Sequence, residues 1–151
     1  MTILIKQLTF DDFETLALLE KEIPEFESLF SKDRLIETIG GRDYFASVAL
    51  HQDTLKSMGY MIAYDRYDDG SFYCFISAVL PDYRSLGVYR KMANARELYA
   101  KENGYSSLKI KTRNRFRSML AFLVKDGWLF EAVETDGLPE EDYKICAYKT
   151  L

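Results

Sequence analysis

The sequence predicts an α+β protein, a mixed and mostly antiparallel sheet of seven strands flanked by four helices. Three observations lead there. Segments of alternating and of helical apolar spacing succeed one another in the order β-α-α-β-β-β-α-β-α-β-β. Antiparallel hairpins surround a single β-α-β crossover in the middle of the chain. The strand that begins this crossover runs into Pro81, and Gly87 stands where the following helix opens.

Taken in order, residues 2–8 alternate as a first strand. Thr9 with Asp12 forms a helix-opening box, and Phe13, Leu16 and Leu19 give the apolar face of a helix reaching about Glu22. Pro24 interrupts it. Ser31 caps a second helix carrying Leu35, Ile36 and Ile39, closed by Gly40 and Gly41. Residues 44–51 and 58–67 read as antiparallel strands, and Asp69-Gly70 turns the chain into a strand over 72–80. Val88, Met92, Ala95 and Tyr99 share one helical face, with Asn103-Gly104 as the stop. Residues 108–112 form a short alternating strand. Phe116, Met119, Leu120 and Leu123 follow helical spacing up to Asp126-Gly127. Residues 128–133 and 143–149 complete the sheet, joined through Asp136-Gly137 and Pro139.

A length of 151 residues suits one domain, 1–151, and a hydrophobic share of 48% with 29% charged residues marks an ordinary globule. Aromatic residues at 15% exceed the needs of such a core, which leaves a cleft lining or a Tyr-rich sheet surface to account for the excess. The net charge of −4 argues against nucleic acid as the main partner and is compatible with a cationic amine. Cys74 and Cys146 are too few for a disulfide framework and too far apart for a zinc pair, so they read as buried free thiols and no metal is expected. No apolar run approaches ~20 residues, and the first residues lack the charged start of a signal peptide. The expectation is a cytoplasmic protein with no membrane contact; a homodimer is left open.

The chemistry concentrates between Val79 and Arg90. Pro81 cannot donate a ladder hydrogen bond, so the strand ends there. The first turn of the next helix leaves backbone N–H groups unpaired at a partly positive end. Gly87 has no Cβ, so a bulky anion can approach those amides, with Arg84 and Arg90 on either side. This is a cradle for a pyrophosphate.

These residues resemble the signature of the GNAT superfamily of N-acetyltransferases, (Gln/Arg)-x-x-Gly-x-(Gly/Ala) behind a Val-x-Pro-x-Tyr strand end. The chain reads Arg84-Ser85-Leu86-Gly87-Val88-Tyr89 behind Val79-Leu80-Pro81-Asp82-Tyr83. Tyr89 departs from the pattern, placing bulk where the family has a small residue. The resemblance extends to the element order over essentially the whole chain. It implies a GNAT fold, acetyl-CoA as co-substrate and an amine of a small molecule or peptide as acceptor. Ala78, Val79, Arg84, Leu86, Gly87, Val88, Tyr89 and Arg90 would hold the coenzyme. The backbone of Ala78 and Val79 would pair with the pantetheine amides like an added strand, and the Val79 amide would face the oxyanion. A dinucleotide-binding fold is disfavoured because its fuller glycine fingerprint is missing.

Residues 114–128 resemble the family's second coenzyme segment, Asn-x-x-Ala-x-x-Leu-Tyr-x-x-x-Gly-Phe, and end on Lys125-Asp126-Gly127-Trp128. Phe116 occupies the Asn position; Asn114, two residues early, either reaches the pantetheine arm or acts as a helix cap or turn residue. Leu123 replaces the Tyr that in the family protonates the departing thiolate, and reads as core. Many members place a Glu on the strand before Val-x-Pro, yet residues 72–78 hold no carboxylate. Tyr73 and Ser77 remain as candidates to order a water that relays the proton. Asp65, Asp68 and Asp69 read as turn acids and His51 as a surface residue. Glu25, Phe26, Glu27 and Phe30 around Pro24 form an acidic and aromatic segment that suits an ammonium group or is a solvated helix break. The leading expectation is an acetyl-CoA-dependent N-acetyltransferase. The alternatives are a catalytically weak or inactive GNAT-like acyl-CoA-binding module, which the missing Glu and Tyr favour, and a nucleotide-binding protein of unrelated fold.

Overall fold

The computed structural model describes residues 1–26 and 30–151. Seven strands, β1 (Ile3–Leu8), β2 (Tyr44–His51), β3 (Ser57–Tyr64), β4 (Ser71–Val79), β5 (Ser107–Arg113), β6 (Leu129–Glu134) and β7 (Lys144–Thr150), form one sheet in the order β1-β2-β3-β4-β5-β7-β6. Only β4 and β5 run parallel; the other neighbours are antiparallel. The helices are α1 (Phe13–Glu20), α2 (Lys32–Ile39), α3 (Val88–Glu102) and α4 (Arg117–Lys125). This is the expected α+β architecture, with the expected element order.

Local chemistry sets the helix boundaries. The Thr9 N–H donates to Asp12 Oδ2 at 3.0 Å, opening a 3-10 turn (Phe10–Asp12) that leads into α1. The Ser31 hydroxyl accepts from the Arg34 N–H at 3.2 Å and caps α2, which stops at Gly40 in a positive-φ conformation, +62°. β3 ends three residues sooner than the spacing suggests. Asp65 Oδ1 accepts from the Asp68 N–H at 3.1 Å, which folds residues 65–68 into a turn.

The two faces of the sheet carry different layers. Leu8, Ala46, Val48, Tyr60, Ile62, Tyr64, Tyr73 and Ala78 pack with Phe13, Leu16, Leu35 and Ile39 of α1 and α2. On the opposite face, Phe45, Ala63, Phe72, Cys74, Leu108, Ile110 and Ala147 pack with Ala100 of α3 and Leu123 of α4. β4 changes phase between these layers. Ala63 faces Cys74 and Ile62 faces Ile76, so Phe75 is an extra residue, and Phe75 and Ile76 both lie against the α1/α2 layer.

The bulge coincides with a break in the sheet. β4 and β5 are paired only from Ser71–Ser107 to Cys74–Ile110. Beyond that point β4 stays paired with β3 and β5 with β7, but no longer with each other. The middle of the sheet is open.

Candidate active site

A cavity of about 870 Å³ fills this opening. Its walls are the free ends of β4 and β5, the start of α3, the first turns of α4 and the segment following α1. A second hollow of about 510 Å³, around Leu19, Glu22, Lys56 and Pro81, holds none of the expected site residues.

The backbone on the β4 wall is arranged to receive a partner. The Leu80 N–H donates to the Met58 carbonyl at 2.8 Å. Alternation along an antiparallel pair then turns Ala78 and Ile76 toward β3, and Ser77 and Val79 toward the cavity. The Val79 N–H therefore faces the opening, as an oxyanion donor must. Ala78 lines the cavity as well, but not through its backbone. Its peptide groups belong to the β3 ladder and its side chain to the α1/α2 core, so Ser77 and Val79 are the ladder groups open to a ligand.

At the start of α3, Ser85 and Gly87 both adopt positive φ, +63° and +83°. No side chain caps the helix, whose opening backbone bond runs from the Lys91 N–H to the Gly87 carbonyl at 3.2 Å. Helix geometry leaves the amides of Val88, Tyr89 and Arg90 without intrahelical acceptors. A Cβ on Gly87 would meet nothing within 4 Å, so the approach to those amides is open. Gly87, Val88, Tyr89 and Arg90 all line the cavity; Leu86 does not, and its side chain is exposed.

The two arginines expected to flank an anion are already engaged. Arg84 Nη1 and Nη2 each lie 2.7 Å from a carboxylate oxygen of Glu25, and its Nε–H donates to the Val79 carbonyl at 3.0 Å. That hydrogen-bonded guanidinium holds the Glu25 carboxyl below its ordinary range. Arg90 Nη1 lies 2.5 Å from Asp126 Oδ1, and its guanidinium sits 4.3 Å from the centre of the Phe122 ring. Lys111, Arg113, Arg115 and Arg117 line the rim between β5 and α4, where Glu134 pairs with Lys111 and Asp142 with both Arg113 and Arg115, so that the cations outnumber the acids.

The bulk of Tyr89 is turned toward α4. Its ring meets the edge of Phe122 with centroids 4.7 Å apart, and its hydroxyl is buried without a hydrogen-bond partner. Leu123, in the place of a family proton donor, is fully buried.

Tyr73 does not line this cavity. Its side chain lies on the α1/α2 face among the rings of Tyr64, Tyr67 and Phe75, under the Arg66 guanidinium, and burial pushes its phenol up to about 12. Ser77 does line the cavity. Asn114 does not: its Nδ2 donates to the Glu140 carbonyl at 2.9 Å and ties the chain to the loop before β7, the turn role rather than the coenzyme role. Glu25, Phe26 and Phe30 line the cavity, whereas Glu27 lies outside the described residues. His51 accepts the Asp53 N–H at 3.2 Å in a surface turn.

One cavity residue lies beyond the expected set. Glu20, the last residue of α1, is only 2% exposed and yet lines the cavity. Its Oε2 accepts the Phe30 N–H at 2.7 Å. Burial pushes its carboxyl above the ordinary range, against the opposing pull of the Phe30 amide, Tyr60 and Arg34. The sequence signal was spacing: Phe13, Leu16 and Glu20 fall on one helical face, which places a carboxylate where core is expected.

Among the described residues, no group of three or more His, Cys, Asp or Glu is placed to hold a metal ion, and no helix is long and apolar enough to cross a membrane.

This sheet order, opened at its centre beside an uncapped helix N-terminus, is the GNAT fold. It is similar to the ribosomal-protein-S18-alanine N-acetyltransferase of Escherichia coli, with a TM-score of 0.82 and 17% identity over 99% of this chain and 94% of that one. It is similar to Ard1 of Thermoplasma volcanium, with a TM-score of 0.81 and 12% identity over 100% and 99% of the two chains. A Bacillus anthracis protein described as a streptothricin acetyltransferase, solved in complex with acetyl coenzyme A, gives a TM-score of 0.74 and 18% identity over 100% and 99%. At these identities the likeness is one of fold. No family model and no curated protein matches the sequence.

Proposed function

We propose that this chain is a single-domain N-acetyltransferase that moves an acetyl group from acetyl-CoA to an amine of a small molecule or peptide. One observation carries the reading: the opening between β4 and β5 presents the peptide groups of Ser77 and the N–H of Val79, and leads to the uncapped helix start at Gly87. A pantetheine arm has amides to pair with the first, and a pyrophosphate has the charge and size for the second. The residues present fit the co-substrate.

In this reading Val79 donates its N–H to the oxygen of the thioester carbonyl as the amine attacks, which stabilises charge that develops only in the transition state. The cationic rim formed by Lys111, Arg113, Arg115 and Arg117 suits the remaining phosphate of the coenzyme. The acyl-CoA-binding module without turnover keeps one supporting observation, the buried Leu123 in place of a proton donor.

Calorimetry with acetyl-CoA and release of free CoA with a panel of amines test the proposal. Wild-type protein should bind and turn over. Gly87→Glu should abolish binding, because it sets a carboxylate against the phosphates and strains a φ of +83°. Binding without turnover of any amine supports the module, and unchanged affinity in the variant overturns the site.

A further inference from the structure

We infer that Glu20 is the catalytic base, the group that accepts the proton of the incoming amine. This inference rests on the acetyltransferase reading and extends it to a residue at the end of α1. β4 supplies no carboxylate on its cavity wall, and Tyr73 does not line the cavity. Glu20 reaches the same cavity from the opposite side, together with Ile23, Phe26 and Phe30.

Its surroundings favour a base over a salt-bridge partner. The Phe30 N–H fixes one carboxylate oxygen at 2.7 Å, which orients the group. On β3 the buried Tyr60 hydroxyl lies beside Glu20, and burial together with the nearby Glu20 charge keeps it a phenol. On α2, Arg34 acts on Glu20 through space while its guanidinium lies 4.4 Å from the Phe30 ring centre. On β4 the side chains of this layer are Tyr73, Phe75, Ile76 and Ala78, of which only Tyr73 is ionisable, and burial keeps it a phenol. In the segment after α1, Glu25 is paired with Arg84 and held in its charged, weakly basic form. Burial raises Glu20 instead, toward the range in which a carboxylate removes a proton efficiently.

The proton balance is complete. An acceptor arriving as an ammonium gives its first proton to Glu20, which passes it to solvent. The amine nitrogen then bonds to the thioester carbon. As the C–S bond breaks, the second proton leaves nitrogen and ends on the sulfur of CoA. Acetyl-CoA and the ammonium thus become the acetamide, free CoA and one proton, with no other reactant.

Glu20→Gln separates this role from a structural one, because its amide oxygen still accepts the Phe30 N–H in the same shape. The variant should bind acetyl-CoA within about twofold of wild type by calorimetry and melt no lower. Its kcat should fall ~10²-fold or more, and the acidic limb of the kcat–pH profile should vanish. Glu20→Asp should keep that limb with a smaller loss. Turnover by Glu20→Gln within about threefold of wild type, or an unchanged acidic limb, overturns the assignment while leaving the acetyltransferase reading intact. Failure of wild-type protein to bind acetyl-CoA overturns both.

Discussion

Gly59 offers a direct test of how closely the sheet supports the site. It lies on β3 opposite Val79, beneath Met92 of α3. A Cβ built there would stand 2.6 Å from the Ala78 carbonyl oxygen, and 3.2 Å from both Val79 Cα and Met92 Cε. Ordinary contact begins near 3.4 Å, so the Gly59→Ala methyl group must push the Ala78 carbonyl away by about 0.8 Å. Met92 can yield, being a flexible side chain; the carbonyl cannot move without its strand. Overpacking of this kind costs roughly 1–3 kcal/mol, a fall in Tm of roughly 2–12 °C for a domain of this size. The displaced peptide also carries the Val79 N–H, so acetyl-CoA affinity and kcat should fall together with stability. Differential scanning calorimetry and acetyl-CoA titration of the variant measure both. A Gly59→Ala protein that melts within about 1 °C of wild type and binds normally would refute the rigid coupling between β3 and the site.

Leu123 is fully buried among Phe45, Phe72, Leu108 and Trp128, so Leu123→Ala should cost ~2–5 kcal/mol in urea denaturation, and a variant of normal stability but no turnover would instead assign it a chemical role. Glu25→Gln frees the Arg84 fork; because that pair is half-exposed, acetyl-CoA affinity should rise by at most about fivefold at low salt, with the gain fading as salt is added. Unchanged or weaker binding would show that Arg84 does not meet the coenzyme. The raised carboxyl of Glu20 has a stability consequence of definite sign. Below its unfolded value the group is protonated in both states and neutral in its effect. As pH rises, the unfolded chain ionises first and gains, so wild-type stability relative to Glu20→Gln should decline through this window and level off above the folded value. Equal Tm differences between the two proteins at pH 4 and pH 7 would contradict it.

The element order, the Ser31 cap and the Gly87 helix start were legible because each depends on neighbours a few residues away. The opening between β4 and β5 was not. It follows from the extra residue at Phe75, and that bulge is defined only by pairing with β3. The Arg84–Glu25 pair joins residues 59 positions apart, a distance over which no local pattern speaks. Tyr73 was read as a relay because it precedes the signature on the same strand. The bulge reverses the phase of β4 between Tyr73 and Ser77, so the reading holds for the location of Ser77 alone. Glu20 and Arg96 both sit on apolar helical faces, 2% and 1% exposed. Composition assigns such residues to solvent, and only their spacing says otherwise.

The division of the sheet also has a mechanical side. Among the described residues, four pairs, Ser71–Ser107 to Cys74–Ile110, form the ladder joining the plate β1–β4 to the plate β5–β7–β6, with α3 packed on strands of both. Such a molecule is two stiff leaves on a short spine. Amide exchange at Phe72, Tyr73, Leu108 and Lys109 reports the spine, and these backbone groups are remote from the Gly87 end of the opening. A thin ligand bridging the leaves should slow exchange at the spine as well as along the free strand ends. The same few hydrogen bonds set how firmly the leaves are bound and how far they part.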